Sequence, residues 1–258
     1  MVSVFAGLVL AGGVWASETA VHMEPMHPDA ENLPSLQNGF KLYANYCLGC
    51  HSLKFQRYER TADDLAIPHD VALETVVFTG QKIGELMVNS MNPEGAKSWF
   101  GAPPPDLTMV TRVRGPEWVY NYLKTFYIDE SRPFGVNNDV FPNVGMPPVL
   151  MSLQGVQRKG CVQKPVLLPN GAEKRDELIP GKAVTEEKCG QLYVEEGSGA
   201  LDEKAYDQAV YDLVNFLSYV GEPSKLDRHR IGIYVLLFLV ILGCFTYLLN
   251  REYWKDVH

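Results

Sequence analysis

The chain has 258 residues, of which 46% are hydrophobic and 21% are charged, and its formal net charge is −8 at pH 7. A chain of this composition can bury a core in one large domain or two small ones. It is not a disordered polymer, a coiled coil, a collagen or a polytopic transporter. The acidic balance argues against nucleic acid, and against an anionic membrane surface as the main partner, because phosphates attract clustered Lys and Arg. A basic protein partner remains open.

The N-terminal residues 1–16 form a short apolar run that ends in the sequence VWA. This pattern resembles a secretory signal with a small residue at the cleavage site, although no Lys or Arg precedes the run. A segment that is retained at the N-terminus is the alternative. We expect Met23 and Met26 to lie in a mobile stretch beyond this run, and residues 17–228 to form an exported domain.

A cysteine motif carries the clearest chemistry in the sequence. Residues 47–51 read CLGCH, which is the C-x-x-C-H spacing of a covalent haem c attachment site. Each thiol, from Cys47 and Cys50, would add to one haem vinyl group, so the two must lie about one helical turn apart. The adjacent His51 imidazole would then become the fifth ligand of the iron. Residues 39–46 place apolar side chains at helical spacing, which predicts a short helix leading to the haem.

Two other interpretations of the cysteine pair are weaker. A zinc knuckle would need a second C-x-x-C or an H-x-x-x-H pair to complete four ligands, and the sequence contains neither. A thioredoxin-like redox pair would need a βαβ setting, which the surrounding sequence does not predict. The segment before the cysteines predicts a short helix with Phe40 and Tyr43 on one face, which suits a haem attachment site.

The remaining iron ligand is expected among the eight methionines. Met146 is favoured because prolines on both sides stiffen its loop, which reads FPNVGMPP, so that the backbone can hold the thioether in place. Met151 is the second candidate and His69 the third. The other internal methionines are expected to pack in a core on predicted helices: Met87 and Met91 on one, and Met109 near the start of another.

Residues 157–199 are charged and rich in Pro and Gly, which predicts a long irregular loop. In an oxidising compartment Cys161 and Cys189 are expected to form a disulfide, and closing a loop of that size would contribute ~3 kcal/mol of stability. Two separate thiols are the alternative. Three acidic pairs in or just after this stretch would either steer a basic electron carrier or simply be solvated. They are Glu186-Glu187, Glu195-Glu196 and Asp202-Glu203.

Two helices are predicted near the C-terminus. Residues 207–220 carry apolar side chains at helical spacing and are expected to pack on the haem domain. Residues 231–249 contain no charged side chain, and as a helix they would be roughly 28 Å long, close to the ~30 Å hydrocarbon core of a bilayer. Cys244 lies within this run as a small apolar residue. We predict a single transmembrane anchor over 229–250 and a cytoplasmic tail over 251–258.

Several further motifs follow one another along the chain. They are Gly39-Phe40 before C-x-x-C-H, Asn92-Pro93-Glu94-Gly95-Ala96, Pro104-Pro105-Asp106-Leu107, Arg112-x-Arg114-Gly115 and Gly145-Met146-Pro147-Pro148. Together with the C-terminal anchor they resemble the cytochrome c1 family, the haem subunit of the bacterial cytochrome bc1 complex (quinol–cytochrome c oxidoreductase). The resemblance extends from about residue 36 to the C-terminus, with no close counterpart for residues 157–199.

The resemblance implies a mainly α fold, in which a c-type cytochrome domain with long irregular loops is followed by a single C-terminal transmembrane helix. It implies one covalently bound haem c, with Met146 as the axial ligand opposite His51. A thioether and an imidazole that fill both axial positions leave the iron able only to exchange electrons.

The resemblance also assigns the walls of the haem cleft. Pro104, Pro105 and Leu107 would line it, the two prolines as a rigid wall. Arg114 would approach a haem propionate, because a guanidinium matches a carboxylate. Arg112 is the rival for that contact, and a solvated arginine is the remaining alternative.

In function, the resemblance implies electron transfer with no bond chemistry of the subunit's own. Electrons would arrive from the Rieske iron–sulfur protein and leave to a soluble cytochrome c, beside cytochrome b, in a dimeric respiratory or photosynthetic complex. The haem domain would lie in the periplasm, held at the lipid of the bacterial inner membrane by one span. A haem c subunit of a terminal oxidase or nitric oxide reductase is the alternative. A peroxidase or ligand sensor would need an open sixth position on the iron.

Overall fold

The computed structural model describes residues 23–78, 80–176 and 178–255. The signal-like run over residues 1–16 lies outside the described residues and stays a prediction. The helices are α1 Leu33–Leu42, α2 Tyr58–Asp64, α3 His69–Thr75, α4 Pro93–Phe100, α5 Val110–Arg114, α6 Pro116–Lys124, α7 Met151–Gln154, α8 Glu203–Gly221 and α9 Lys225–Tyr253. Helix α1 continues into a π-helical segment over Tyr43–Cys47.

In the described part of the chain the strands form three two-stranded antiparallel sheets. They are β1 Leu53–Arg57 with β2 Leu86–Met87, β3 Phe126–Ile128 with β4 Val136–Asn138, and β5 Gln157–Pro165 with β6 Thr185–Val194. Helices form most of the regular structure, as predicted, but the sheets mean that a mainly α description holds only roughly.

The crossing of α1 and α8 forms the centre of the core. Phe40 and Tyr43 are both buried and lie 5.2 and 5.9 Å, centroid to centroid, from the ring of Phe216. At Gly39 the helices come so close that a Cβ atom would collide with the carbonyl group of Asp212 and the Cβ of Phe216. The predicted face of the first helix and the predicted helix over residues 207–220 therefore meet each other.

A buried polar network fixes the register of this crossing. The carboxylate of Asp212 on α8 accepts hydrogen bonds from Ser35 Oγ at 2.6 Å and from Asn38 Nδ2 at 2.7 Å, both on α1. Gln208 Nε2 donates to the same carboxylate at 2.8 Å. A buried carboxylate with three donors is satisfied, so these bonds select one alignment of the two helices.

The segment before α1 is pinned rather than mobile, which corrects the expectation for Met26. Met26 is buried in the core. The side chain of Asn121 on α6 accepts from the backbone N–H of Glu24 at 2.9 Å and donates to its carbonyl oxygen at 2.8 Å. Asn215 makes the same kind of double contact with the backbone of Asp29, at 2.8 Å in each direction.

The predicted helix that would carry Met87 and Met91 is wrong. Met87 lies on β2, where it pairs with Leu53 of β1 and is fully buried, and Met91 lies in the loop before α4. Met87 packs in the core as predicted, but it does so on a strand, because this segment pairs with β1 instead of forming a helix. Met109 precedes α5 with 44% of its surface exposed, so its predicted packing role is wrong as well.

Residues 157–199 are built on a long β-hairpin, not an irregular loop. Strands β5 and β6 pair from Gln157 opposite Val194 to Pro165 opposite Thr185, with an irregularity beside Cys161. Cys161 and Cys189 form a disulfide across the hairpin. Because most of the strand side chains are exposed, the sequence has no buried alternation that would reveal the strands.

Helix α9 follows α8 after a short connection. Its segment Arg230–Tyr253 is long and apolar enough to cross a membrane, with a mean hydropathy of 2.5 over its most apolar window, and that window is not buried against the rest of the chain. By length and composition it fits the anchor predicted over 229–250.

Candidate haem site

An apolar cavity of about 380 Å³ lies between the C-x-x-C-H segment, helices α5, α6 and α8, and the loop after β4. Every residue that the sequence assigned to the haem site lines it: Cys47, Cys50, His51, Pro104, Pro105, Leu107, Arg114 and Met146. Most of the other lining side chains are aliphatic or aromatic. A concave apolar site with a few polar groups is typical of cofactor pockets.

The attachment segment is closed by the hydrogen bonds of one tight turn. The N–H groups of Cys50 and His51 donate to the carbonyl oxygen of Cys47 at 3.0 and 2.8 Å. This turn brings both thiols and the imidazole to the same cavity. Burial, with the nearby charge of Cys50, raises the pKa of the Cys47 thiol to about 12.

His51 is oriented by a backbone carbonyl. Its Nδ1 lies 2.7 Å from the carbonyl oxygen of Pro105. Because a carbonyl only accepts, Nδ1 must carry the proton, which leaves the lone pair of Nε2 free to bind a metal. Burial lowers the pKa of His51, against the raising effects of the Pro105 hydrogen bond and the Asp106 charge. The imidazole is therefore favoured in its neutral, ligating form.

The Pro-Pro-Asp-Leu motif is held against the segment that follows His51. The N–H of Leu107 donates to the carbonyl oxygen of Ser52 at 3.0 Å. The Asp106 carboxylate accepts from the N–H of Lys54 at 2.7 Å and from the N–H of Thr108 at 3.0 Å. These bonds fix the loop whose carbonyl orients the imidazole.

Met146 reaches the cavity from the loop between β4 and α7, and it is half-buried. Its sulfur accepts a hydrogen bond from the hydroxyl of Tyr122 at 3.3 Å. The two weaker candidates lie elsewhere. Met151 begins α7 and is not among the cavity-lining residues, and His69 begins α3, where its Nε2 pairs with the Asp63 carboxylate at 2.8 Å.

Asparagines, as well as prolines, stiffen the Met146 loop. The buried Asn138 accepts from the N–H groups of Val140 and Phe141 at 3.0 and 2.9 Å, and donates to the carbonyl of Tyr122 at 2.8 Å. Asn143 takes a left-handed φ of 64°, and its N–H donates to the side-chain oxygen of Asn137 at 2.8 Å. Among the sequence patterns, only the turn preference of Asn points to these residues.

Arg114 and Arg112, the two candidates for the contact with a haem propionate, lie in different places. Arg114 lines the cavity, with its guanidinium carbon 5.1 Å from the ring centre of Trp118. Arg112 forms an ion pair with Glu222 at 2.8 Å and is not among the lining residues. Arg114 is thus placed to meet an anionic group of a ligand.

Sequence analysis also missed the aromatic wall of the cavity. Trp118 and Tyr122 on α6 line it, together with Phe100 and Phe141. Trp118 and Tyr122 lie four residues apart on α6, so helical spacing alone would have placed these two on one side. Phe100 ends α4 and Phe141 lies in the loop after β4, and neither carried a comparable signal.

These groups match the chemistry of a covalently attached haem. The porphyrin needs an apolar slot, two thiols beside it, an axial imidazole and thioether, and a cation for a carboxylate. One cavity gathers all of them. The residues that line the cavity therefore fit a haem.

The comparisons with known proteins identify the family. Residues 190–257 match the model of the Cytochrome C1 family. Cytochrome c1 of Allochromatium vinosum is 47% identical over 94% of this chain and 93% of its own length. Ammonia monooxygenase gamma subunit of Nitrosomonas europaea is 38% identical over 94% and 92%, and cytochrome c1 of Rhodospirillum rubrum is 25% identical over 98% and 96%. The chain belongs to the cytochrome c1 family.

Membership in this family supports a haem-containing electron-transfer subunit of a bc1-type complex. The apolar C-terminal helix fits the membrane anchor of such a subunit.

Proposed function

We propose that this chain is a membrane-anchored c-type cytochrome that accepts electrons from the Rieske iron–sulfur protein and passes them to a soluble cytochrome c. The observation that carries the proposal is the pair of potential axial ligands in one cavity: a neutral His51, oriented through Pro105, and the thioether of Met146. If His51 and Met146 both bound the haem iron, substrates would have no access to the metal. A peroxidase or a ligand sensor would instead require an open coordination position on the iron.

Each site residue has a distinct task in this proposal. Cys47 and Cys50 would hold one haem through two thioether bonds, and His51 Nε2 and Met146 Sδ would bind its iron. The haem, when bound, supplies one-electron exchange between ferric and ferrous iron. Arg114 would face a propionate.

The cavity walls would keep water away. Pro104 and Pro105 form a stiff rim, and Leu107 packs against the core. A dry pocket with a thioether ligand favours the ferrous form, so these residues would raise the reduction potential.

The anchor would place the haem domain at the membrane surface. Residues 17–228 would lie in the periplasm, residues 229–250 would span the bacterial inner membrane beside cytochrome b, and residues 251–258 would be cytoplasmic. A dimeric complex of the respiratory or photosynthetic chain would bring the Rieske protein to the haem. A haem c subunit of a terminal oxidase or nitric oxide reductase is the alternative, and the 47% identity to a cytochrome c1 favours the first assignment.

Two of the three acidic pairs, Glu186-Glu187 and Glu195-Glu196, are poorly suited to steering a basic carrier by themselves. Glu186 forms an ion pair with Lys188 at 2.9 Å, and Glu195 pairs with Arg158. Charges that are paired within the hairpin contribute little net field. A docking role for the hairpin would therefore depend on Glu187 and Glu196.

The covalent haem is tested by extraction of the purified full-length protein with acidified acetone. The haem should stay with the polypeptide, and in Cys50→Ser protein the reduced pyridine spectrum should shift to longer wavelength, because one vinyl group is no longer saturated. Cys244→Ser is the matched control and should leave the spectrum unchanged. Haem that is extracted from the wild type would contradict the assignment.

A further inference from the structure

A column of three side chains leads along one side of α5 and α6 to the sulfur of Met146. The guanidinium of Arg114 lies 5.1 Å from the ring centre of Trp118. The rings of Trp118 and Tyr122 are stacked, with centroids 5.0 Å apart and planes at 9°. The hydroxyl of Tyr122 then donates to Met146 Sδ at 3.3 Å. The column thus ends in a polar contact on the proposed iron ligand.

The ring of Tyr122 is enclosed, so its hydroxyl has little freedom to turn away. Phe126 meets it edge-on at 5.1 Å and Phe141 at 6.5 Å, both with interplanar angles of 70°. Asn138 binds the backbone carbonyl of Tyr122 at 2.8 Å, which joins this residue to the Met146 loop. The donor and the acceptor are therefore held by one rigid unit.

We propose that Tyr122 is a positioning residue that fixes the thioether of Met146 and raises the reduction potential of the haem site. This inference rests on the proposed function, because it requires Met146 to be the axial ligand. A methionine side chain has three rotatable bonds and adapts easily, so a hydrogen bond to its sulfur selects one orientation. A phenol at neutral pH is a donor, and a thioether can only accept.

The direction of the effect on the potential follows from charge. The hydrogen bond draws electron density from the sulfur and directs the positive end of the O–H dipole toward the ligand. Both effects disfavour the ferric state, which carries one more positive charge. Hydrogen bonding around an axial ligand is one of the levers by which a protein sets a haem potential. Loss of the hydroxyl should therefore lower the midpoint potential.

The test is Tyr122→Phe in the full-length, haem-loaded protein, which removes the hydroxyl and keeps the ring. The free energy of the Tyr122–Met146 hydrogen bond should differ between the ferrous and ferric states by a fraction of its net strength. Its loss should therefore shift the ferric-to-ferrous ratio at a given potential about two- to fivefold. That shift corresponds to a midpoint about 20 to 40 mV lower, since tenfold is 59 mV for one electron. Tyr120→Phe is the matched control, because Tyr120 lies on the same helix and is not among the cavity-lining residues.

The weak red absorption band of thioether–iron bonding separates this inference from the function on which it rests. The band should persist in Tyr122→Phe protein while the midpoint falls, and Tyr120→Phe should change neither. A Tyr122→Phe midpoint equal to or above that of the wild type, with the band intact, would overturn the inference and leave the function standing. A band that survives in Met146→Leu protein would overturn the ligand assignment itself.

A measurement on the wild type covers the case in which Tyr122→Phe protein does not load haem. In the NMR spectrum of the reduced protein, the Tyr122 hydroxyl proton should exchange slowly with water and show a nuclear Overhauser contact to the Met146 methyl group. A rapidly exchanging hydroxyl, or one without that contact, would overturn the inference.

Discussion

At the scale of single residues, the imidazole and the thioether are each held by a different kind of neighbour. His51 is oriented by the carbonyl of Pro105, and that loop is in turn tied down by the carboxylate of Asp106. Met146 is held by its loop and by the hydroxyl of Tyr122. The motifs seen in the sequence therefore include the two proposed ligands and, in the Pro-Pro-Asp-Leu stretch, the brace for one of them.

The brace makes a prediction for Asp106→Ala. The change removes the acceptor for two backbone N–H groups, so we expect the free energy of unfolding to fall by about 1–2 kcal/mol, measured by guanidinium denaturation in detergent. Asp63→Ala is the control, because this exposed carboxylate pairs with the exposed side chain of His69. Its effect should stay below about 1 kcal/mol. Equal losses in the two variants would show that Asp106 is no brace.

At the scale of secondary-structure elements, the packing of α1 on α8 determines where the attachment motif lies. The π-helical segment that ends at Cys47 continues α1 directly, so any shift of α1 moves the cysteines. At Gly39 the backbones of the two helices approach each other too closely to admit a Cβ atom. The stability of the helix pair and the geometry of the cavity are therefore linked.

Gly39→Ala tests this packing. Although alanine favours a helix by about 1 kcal/mol over glycine, the added Cβ would collide with Asp212 and Phe216, and overpacking costs about 1–3 kcal/mol. We expect a net loss of unfolding free energy and a lower haem content after purification. In Gly95→Ala, on α4, the new Cβ meets only ordinary contacts at 3.9 Å or more, and stability should stay equal or rise. A stable, fully loaded Gly39→Ala protein would contradict the close approach.

Local spacing predicted those elements whose burial follows a simple period. The buried face of α1, the helix α8, the apolar α9 and the cysteine motif were all readable, because each depends on residues close in sequence. The hairpin β5–β6 was not, since its strands are mostly exposed and carry no alternation. Strand β2 was misread because pairing with β1 outweighs a four-residue spacing. Phe100 and Phe141 reach the cavity through tertiary folding alone.

At the scale of the whole molecule, the haem domain and the anchor are separate in their packing. The core around α1 and α8 includes no described side chain of α9. The connection between Gly221 and Lys225 is short, so the proposed membrane span would begin close to the end of the domain. The domain should therefore keep its site without the span.

Removal of residues 229–258 tests this independence. We expect a water-soluble protein with the same visible spectrum as the full-length protein, because the cavity is lined by residues between Tyr46 and Leu217. The full-length protein should fractionate with membranes. A truncated protein that loses haem or its spectrum while still folding would show that the anchor supports the site.

The most direct test of the account as a whole is the spectrum of Met146→Leu protein beside that of Met151→Leu. Met146→Leu should lose the red thioether–iron band and bind carbon monoxide rapidly when reduced, because the sixth position is opened. Met151→Leu removes a nearby methionine that is not among the cavity-lining residues, and it should behave as the wild type. A Met146→Leu protein that keeps the band and excludes carbon monoxide would contradict the closed, electron-transferring site.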